Sequence, residues 1–193
     1  MPDIYRYDDE CALKEIENII NSGINTIAVF PIIDPSKKDK AGKEAVNKNN
    51  YISNSIKKIK NNFPEITLIA DIALDPYTDH GHDGIVINQE VENDETIKIL
   101  SDQSLLLAQA GADILAPSDM MDGRIGSIRS TLEKEGFKNT IIMSYAAKYN
   151  SKFYGPFRDA IQSSSNLGNA SKASYQMNSS CLLYTSPSPR DLG

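Results

Sequence analysis

The chain has 193 residues, of which 40% are hydrophobic and 24% charged, so its size and composition predict one globular domain or a large part of one. The formal net charge of -6 and the pI near 5.0 argue against nucleic acid as a partner, because phosphate contacts require clustered Lys and Arg. No apolar run is long enough to cross a bilayer and no signal-peptide pattern is present, so we expect a soluble, cytoplasmic chain without a membrane partner.

Helical and strand patterns alternate along the chain. Apolar side chains repeat at helical spacing from Leu13 to Ile20, and Gly23 follows as a left-handed stop. Continuous apolar runs between polar segments predict buried strands. In chain order we predict a helix over 8–21, a strand over 26–31, a surface loop over 32–48, a helix over 51–61, a strand over 67–74, a polar loop over 75–84, a helix over 95–110, a strand over 112–118, a helix over 126–135 and a strand from 141.

This alternation predicts an α/β fold with a parallel sheet and right-handed crossovers. A (β/α)8 TIM barrel is favoured over a doubly wound sheet, because the polar residues follow the carboxyl ends of the predicted strands, where barrel active sites lie. A doubly wound sheet would also place a site there, so it remains the alternative. No Gly-x-Gly-x-x-Gly or Walker loop follows any strand, which argues against nucleotide binding.

An apolar stretch that leads to a lysine is the first candidate for chemistry. Residues 141–143 predict a strand buried on both faces, and Lys148 follows it. The Gly-Pro dipeptide at 155–156 predicts the end of regular structure, with a helix restarting at Phe157. A lysine side chain in its free-amine form attacks ketones to give a Schiff base, so Lys148 is a candidate nucleophile. The alternative is a solvated loop lysine.

A carboxylate inside an apolar strand is the second candidate. Asp71 interrupts the strand predicted over 67–74, and burying a carboxylate without a partner costs on the order of several kcal/mol. It therefore needs a partner or a function. The loop that follows holds five potential metal ligands, namely Asp75, Asp79, His80, His82 and Asp83. For the two histidines the alternative is hydrogen bonding within the loop.

Four segments carry these candidates. They read Asp-x-Ala-Leu-Asp-Pro-Tyr-Thr-x-His-Gly-His-Asp-Gly over 71–84, Ala-Pro-Ser-Asp-Met-Met-Asp-Gly over 116–123, Met-Ser-Tyr to Phe-Tyr-Gly-Pro-Phe-Arg over 143–158, and Ser-Tyr-Gln-Met-Asn over 174–178. In content and order they resemble the porphobilinogen synthase family, also called 5-aminolevulinate dehydratase. The resemblance extends from residue 1 to about residue 178.

The resemblance implies a TIM barrel, about half of which is present here as four strands with their helices. It implies an enzyme that condenses two molecules of the small-molecule substrate 5-aminolevulinate into porphobilinogen with loss of water, in tetrapyrrole biosynthesis. Family members use two lysines at the barrel mouth, each forming a Schiff base with one substrate ketone. Lys148 matches the first, and the second is expected downstream.

The resemblance also suggests roles for other residues. Arg158 and Lys172 match positions that hold a substrate carboxylate, and Tyr154 lies in the same substrate-binding motif. Fixed positive charge at such positions would orient the ketone for attack. Asp71 and Ser118 are expected to line the same mouth and to serve in proton transfer or hydrogen bonding.

The metal loop departs from the zinc-dependent members of the family. Their three cysteines are replaced here by Ala73, Asp75 and Asp83, and carboxylates suit hard cations whereas thiolates suit zinc. The remaining cysteines, Cys11 and Cys181, cannot form a thiolate cage or a disulfide framework. The pattern resembles the aspartate-rich, zinc-independent branch. It makes Asp75 and Asp83 candidate metal ligands, without catalytic zinc, and it implies magnesium at a separate allosteric site in the C-terminal half and a monovalent cation as a further candidate.

The two ends of the chain carry expectations of their own. We expect residues 1–180 to form a partial TIM-barrel domain and residues 181–193 to be a non-native tail, because the tail resembles a translated sequencing adapter. A natural Ser/Pro-rich disordered tail is the alternative. Family members form homo-octamers through an N-terminal arm, which is expected to precede residue 1. With the second lysine expected downstream, we expect this chain alone to be inactive.

Two other functions use the same scaffold. A class I aldolase-like barrel shares the strand-end lysine but should lack both the aspartate loop over 75–83 and the Phe-Tyr-Gly-Pro-Phe-Arg motif. A non-enzymatic binding module should bind its ligand equally well after Lys148→Ala. Loss of a covalent adduct in that variant distinguishes the synthase from the module.

Overall fold

The computed structural model describes residues 4–151, 154–161, 172 and 175–178, which form an α/β structure. Four strands make a parallel sheet in the order β1-β2-β5-β6, and a separate antiparallel pair joins β3 to β4. In chain order the elements are α1 Asp9–Asn21, β1 Thr26–Val29, α2 Tyr51–Asn62, β2 Thr67–Ile72, β3 Ile85–Ile87, β4 Glu90–Glu92, α3 Asn93–Ala110, β5 Ile114–Pro117, α4 Arg124–Lys134, β6 Ile141–Ile142 and α5 Tyr154–Ile161. The predicted alternation of parallel strands and helices is confirmed.

Local side-chain chemistry fixes the ends of the helices. Asp8 accepts a hydrogen bond from the backbone N–H of Cys11 at the start of α1, and Asn50 accepts one from Ser53 at the start of α2. Such caps satisfy N–H groups that have no partner inside the helix. Gly111, with φ of 110°, ends α3 in the left-handed conformation that glycine adopts without steric cost.

The core lies between the sheet and its helices. Alternate side chains of β2, at Leu68, Ala70 and Ile72, are fully buried and belong to the main apolar cluster with residues of α2 and α3. Because strand side chains alternate between faces, Ile69 and Asp71 lie on the opposite face. The sheet register pairs Ala70 with Leu115, so the same layering continues into β5. The strand that carries Asp71 is therefore held rigidly at the centre of the sheet.

The predicted surface loop over 32–48 is only partly at the surface. Ile33 and Ala45 are buried, with exposed fractions of 2% and 0%. Asp39 forms an isolated parallel bridge with Thr78, and its backbone N–H donates to the carbonyl of Tyr77. The loop after β1 is thereby attached to the loop after β2, which the polar composition alone did not indicate.

A β-hairpin follows the aspartate loop and was not predicted. Its strands, β3 and β4, are joined by Asn88 and Gln89, whose φ values of 51° and 67° are both positive. Two central residues with positive φ are typical of a type I′ turn, and asparagine is a common occupant of its first position. Helix α3 consequently begins at Asn93, two residues before the predicted start.

The prediction that residues 141–143 are buried on both faces is wrong. Ile141 is 57% exposed and Met143 is 41% exposed. Within the described part of the chain, β6 pairs only with β5, so it lies at an edge and one side of it has no cover.

The predicted break at 155–156 is also wrong, because α5 begins at Tyr154 and runs through Gly155 and Pro156. Proline is tolerated there because the N–H groups in the first turn of a helix have no intrahelical acceptor.

The other edge of the sheet borders a large apolar groove. Its volume is about 940 Å³, and it lies beside β1, between the N-terminal segment, α2 and α5. Phe30 and Phe157 meet across it edge to face, with ring centroids 5.5 Å apart. None of the helices in the described ranges combines the length and apolarity needed to cross a membrane.

Candidate active site

Three of the predicted site residues meet beyond the carboxyl ends of neighbouring strands. Asp71 is the second-to-last residue of β2, Ser118 follows β5, and Lys148 follows β6. The Nζ of Lys148 donates a hydrogen bond to the backbone carbonyl of Ser118, 2.5 Å away. It also lies 5.5 Å from the ring centroid of Tyr154, within the range of a cation–π contact. Parallel strands bring these residues together because their carboxyl ends meet at one edge of the sheet.

Asp71 is a buried acid whose protonation changes near neutral pH. Its side chain is almost completely shielded, and its Oδ1 has no hydrogen-bond partner among the described residues. Burial raises the pKa of Asp71 to about 7, against the opposing effects of the Ser118 hydrogen bond and the Lys148 charge. A carboxyl group with this pKa can both donate and accept a proton at physiological pH.

Lys172 joins the two aspartates of the loop after β2. Its Nζ lies 2.9 Å from Oδ2 of Asp75 and 2.7 Å from Oδ1 of Asp83. The three side chains are buried, with exposed fractions of 5%, 9% and 1% respectively. Burial alone lowers the pKa of Lys172, but the two carboxylates outweigh it, so the pKa is raised. Lys172 is therefore an ammonium ion bridging two buried carboxylates, and we call these three residues the lysine–aspartate triad.

The triad bears on the predicted metal site. Burial and the charge of Asp83 raise the pKa of Asp75, while Lys172 opposes them. The loop offers the carboxylates of Asp75 and Asp83 and the methyl group of Ala73 at the three positions where zinc-dependent relatives are expected to have cysteines, so it lacks a thiolate set. In the part of the chain that the structure describes, no group of three or more His, Cys, Asp or Glu side chains is arranged to hold a metal ion. The metal role of Asp75 and Asp83 stays a prediction.

His80 and His82 make hydrogen bonds within and around the loop. The Nε2 of His80 donates to the carbonyl of Lys40, and its Nδ1 accepts from the backbone N–H of His82. The Nδ1 of His82 lies 3.1 Å from the hydroxyl of Tyr175, and the backbone N–H of Asp83 donates to that same hydroxyl. Burial, followed by the charges of His80 and Lys172, lowers the pKa of His82. The Tyr175 hydroxyl thus ties the later segment of the chain to the aspartate loop.

A buried ion pair next to Ser118 was not recognised in the sequence. Asp119 is fully buried, and its Oδ2 lies 3.3 Å from Nε of Arg124. Burial raises the pKa of Asp119 to about 6, with Arg124 opposing that change. Its Oδ1 accepts a hydrogen bond from the backbone N–H of Met121. The motif over 116–123 contains Asp119 but ends one residue before Arg124, and the only available signal was the short spacing between these two residues.

The structure therefore brings together two groups of predicted residues. Lys148, Ser118, Asp71 and Tyr154 form one group, and Lys172 forms the other with the two loop aspartates. The charge of Asp75 raises the pKa of Asp71, so the two groups lie near each other. Arg158 lies in α5, but its side chain is outside the described part, as is the proposed tail over 181–193.

Fold and site together define an α/β protein of the barrel type, with a lysine amine and a buried acid at the carboxyl ends of parallel strands. A sequence profile of the family "Delta-aminolevulinic acid dehydratase" matches residues 1–183. The chain belongs to this family, as the sequence motifs predicted.

Individual relatives agree with this assignment. The chain is 51% identical to delta-aminolevulinic acid dehydratase of Chlamydia pneumoniae over 178 residues, which is 92% of this chain and 53% of that protein. It is 49% identical to the Bradyrhizobium diazoefficiens protein of the same name over 179 residues, which is 93% of this chain and 50% of the relative. The chain spans about half the length of these relatives.

A solved structure extends the comparison to the fold. Delta-aminolevulinic acid dehydratase (porphobilinogen synthase) of Toxoplasma gondii, crystallised with its reaction product porphobilinogen, superposes with a TM-score of 0.89 at 43% identity. The match covers 92% of this chain and 51% of that one. This similarity, together with the four parallel strands, confirms the predicted TIM-barrel class, of which the chain forms a part.

Proposed function

We propose that the intact gene product, of which this chain is a part, condenses two molecules of 5-aminolevulinate into porphobilinogen with loss of water, as a step of tetrapyrrole biosynthesis. The observation that carries the proposal is the contact between the Lys148 amine and the Ser118 carbonyl beside the buried acid Asp71. Membership of the family and the product bound to the Toxoplasma gondii relative support it.

In this proposal Lys148 forms a Schiff base with one substrate. Its nitrogen attacks the ketone carbon, a C–N bond forms, and the carbonyl oxygen takes up a proton to give a carbinolamine. Water then leaves as the nitrogen lone pair forms the C=N bond. Asp71 gives the proton to the departing hydroxyl and recovers one from the nitrogen, a role that its pKa of about 7 permits at neutral pH. The Ser118 carbonyl positions the amine before attack.

We assign Lys172 a role different from the one its sequence match implied. Its ammonium already contacts two carboxylates, so holding a substrate carboxylate would require it to share or leave these contacts. We propose that it serves as the permanent cation of the aspartate loop, whereas Arg158 and Tyr154 remain the proposed substrate-binding residues.

The family is metal-dependent in general. On this proposal, a chelator leaves the urea unfolding midpoint of the chain unchanged, and added zinc does not raise it.

The remaining assignments rest on the family alone. Magnesium at an allosteric site, a monovalent cation, a homo-octamer and a cytoplasmic location are proposals for the intact gene product. Sedimentation with and without magnesium tests the assembly and its dependence on the metal together. An assembly smaller than an octamer in both conditions contradicts the octamer proposal.

Reductive trapping tests the Schiff base directly. The chain is incubated with 5-aminolevulinate and sodium borohydride, digested, and examined by mass spectrometry, with dihydroxyacetone phosphate as the substrate of an aldolase-like enzyme. We expect a mass increase on the peptide bearing Lys148 with 5-aminolevulinate only. Lys148→Met should abolish it, and the matched control Lys98→Met, on the exposed face of α3, should retain it. The absence of any adduct on the Lys148 peptide contradicts the proposal.

Trapping shows which substrate forms a Schiff base with the chain, whereas turnover shows whether the complete condensation occurs. An adduct that forms with dihydroxyacetone phosphate and not with 5-aminolevulinate favours the aldolase-like alternative. Pyrrole formation from 5-aminolevulinate, detected with Ehrlich reagent, tests the complete condensation in the intact gene product.

A further inference from the structure

The Asp119–Arg124 ion pair lies beside the carbonyl that accepts the Lys148 hydrogen bond. Asp119 directly follows Ser118 in the chain, and its carboxylate is fully buried. Its Oδ1 accepts from the Met121 backbone N–H at 2.8 Å, which closes the loop after β5 into a tight turn. The Nε of Arg124 completes the charge pairing at 3.3 Å. The Ser118 carbonyl therefore belongs to a loop fixed by a buried charge.

Arg124 connects this loop to the segment that carries the reactive lysine. Its Nη1 donates to the carbonyl of Met121 at 3.0 Å, and its Nη2 donates to the carbonyl of Tyr145 at 3.4 Å. Tyr145 lies three residues before Lys148, in the segment that leaves β6. One planar guanidinium thus spans the exits of two neighbouring strands, a geometry that the single point charge of a lysine does not reproduce.

A second side chain, that of Asn93, contacts the same loop. The side chain of Asn93, at the start of α3, accepts from the backbone N–H of Asp122 at 2.8 Å and donates to its carbonyl at 3.2 Å. The loop after β5 is therefore attached to α3 by Asn93 and to the β6 exit by Arg124. Of these two attachments, the one through Arg124 leads to Lys148.

We propose that Arg124, anchored on the buried carboxylate of Asp119, is a positioning residue that holds the Lys148 amine in the orientation needed to attack the substrate ketone. This inference rests on the proposed Schiff-base function of Lys148. Arg124 acts through Met121 and Tyr145 and is not itself a catalytic residue. Small displacements of a reacting group reduce rates steeply, so a loosened Lys148 should react slowly even when the substrate is bound.

Arg129 provides a matched control in the same helix. Its Nη1 and Nη2 donate to the carbonyls of Thr140 and Phe137, both at 2.7 Å, at the far end of α4. Arg124→Gln and Arg129→Gln therefore each remove a guanidinium that binds two backbone carbonyls, but only the first bears on Lys148. The rate of reductive trapping on the Lys148 peptide is measured across 5-aminolevulinate concentrations, together with the urea unfolding midpoint of each variant.

We expect Arg124→Gln to lower the saturating trapping rate on the order of tenfold to a hundredfold while the half-saturating concentration changes little. Arg129→Gln should lose stability and keep its trapping rate. Arg124→Lys, which retains the charge beside Asp119 but lacks the planar fork, should recover stability more than trapping. Trapping by Arg124→Gln at the wild-type rate overturns the proposal, as does an equal loss in the Arg129 variant.

A second measurement separates failure of this proposal from failure of the Schiff-base function. Competitive acetylation with acetic anhydride reports the reactivity of each lysine without any substrate. Release of Lys148 from the Ser118 carbonyl should raise its acetylation rate in Arg124→Gln and leave it unchanged in Arg129→Gln. If the unmodified chain forms no adduct, the Schiff-base function of Lys148 is wrong, and the role of Arg124 in catalysis is wrong with it. If the adduct forms but acetylation of Lys148 is the same in both variants, Arg124 does not position it.

Discussion

Asp71 should make the stability of the chain fall as the pH rises, and Asp71→Asn should remove this dependence. Burial raises the pKa of Asp71 to about 7 from 3.8, so the folded chain favours the protonated form. The stability contributed by that proton is fully present below about pH 4 and is lost as the pH rises through about 7. Since each unit of pKa difference corresponds to about 1.4 kcal/mol, the loss over this range is about 4 kcal/mol. Asparagine has nearly the same shape and carries no charge.

Urea unfolding followed by circular dichroism at pH 5 and pH 8 measures this effect. Between these two pH values, the free energy of unfolding of Asp71→Asn should rise by about 3 kcal/mol relative to that of the unmodified chain. Titrating groups far from Asp71 contribute equally to both chains and cancel in the comparison. Asp102→Asn, which neutralises an exposed carboxylate on α3, should show no such change. If the free energies of unfolding of Asp71→Asn and the unmodified chain differ by the same amount at pH 5 and pH 8, the proposed burial of a titrating acid is refuted.

Three further substitutions test contacts elsewhere in the chain by the same unfolding measurement. Lys172→Met leaves two buried carboxylates without their cation and should cost about 3–5 kcal/mol at pH 8. The cost should become smaller as the pH falls, because burial and the charge of Asp83 raise the pKa of Asp75 and favour protonation of that carboxylate, and an equal cost at all pH values contradicts the triad. Gly84→Ala places a Cβ 2.6 Å from Oγ1 of Thr96 and should cost about 1–3 kcal/mol, whereas no loss would mean that the hairpin shifts freely. Lys60→Met removes a 3.0 Å contact with the half-exposed Asp113 and should cost about 1 kcal/mol, less in high salt.

The elements that the sequence predicted well are those with local signals. Helices α1 and α2 have regular apolar spacing and capping residues, and β2 is a continuous apolar run. The hairpin at 85–92 has only three residues in each strand, too few for a periodic pattern. The exposure of Ile141 depends on what covers β6, and no property of the dipeptide Ile141–Ile142 reveals its neighbours. Secondary structure was therefore predictable where it depends on residues close in sequence.

The site was predictable as a set of strand ends but not as a set of contacts. Lys148, Asp71 and Ser118 were placed together because parallel strands bring their carboxyl ends to one edge. The triad joins Lys172 to residues 97 and 89 positions earlier in the chain, a pairing that spacing alone cannot indicate. Arg124 was overlooked for a similar reason, since its role depends on backbone carbonyls, which every residue possesses.

The cation that bridges Asp75 and Asp83 is the Lys172 side chain, so it is part of the polypeptide and is not taken up from solution. Its amount always equals that of the polypeptide, so a shortage of trace elements would leave this part of the pocket complete. Thiophilic ions such as cadmium or lead, which compete for sulfur ligands, meet carboxylate oxygens at Asp75 and Asp83. On the proposed role of Lys172, this loop would keep its cation both when zinc is scarce and when heavy metals are abundant.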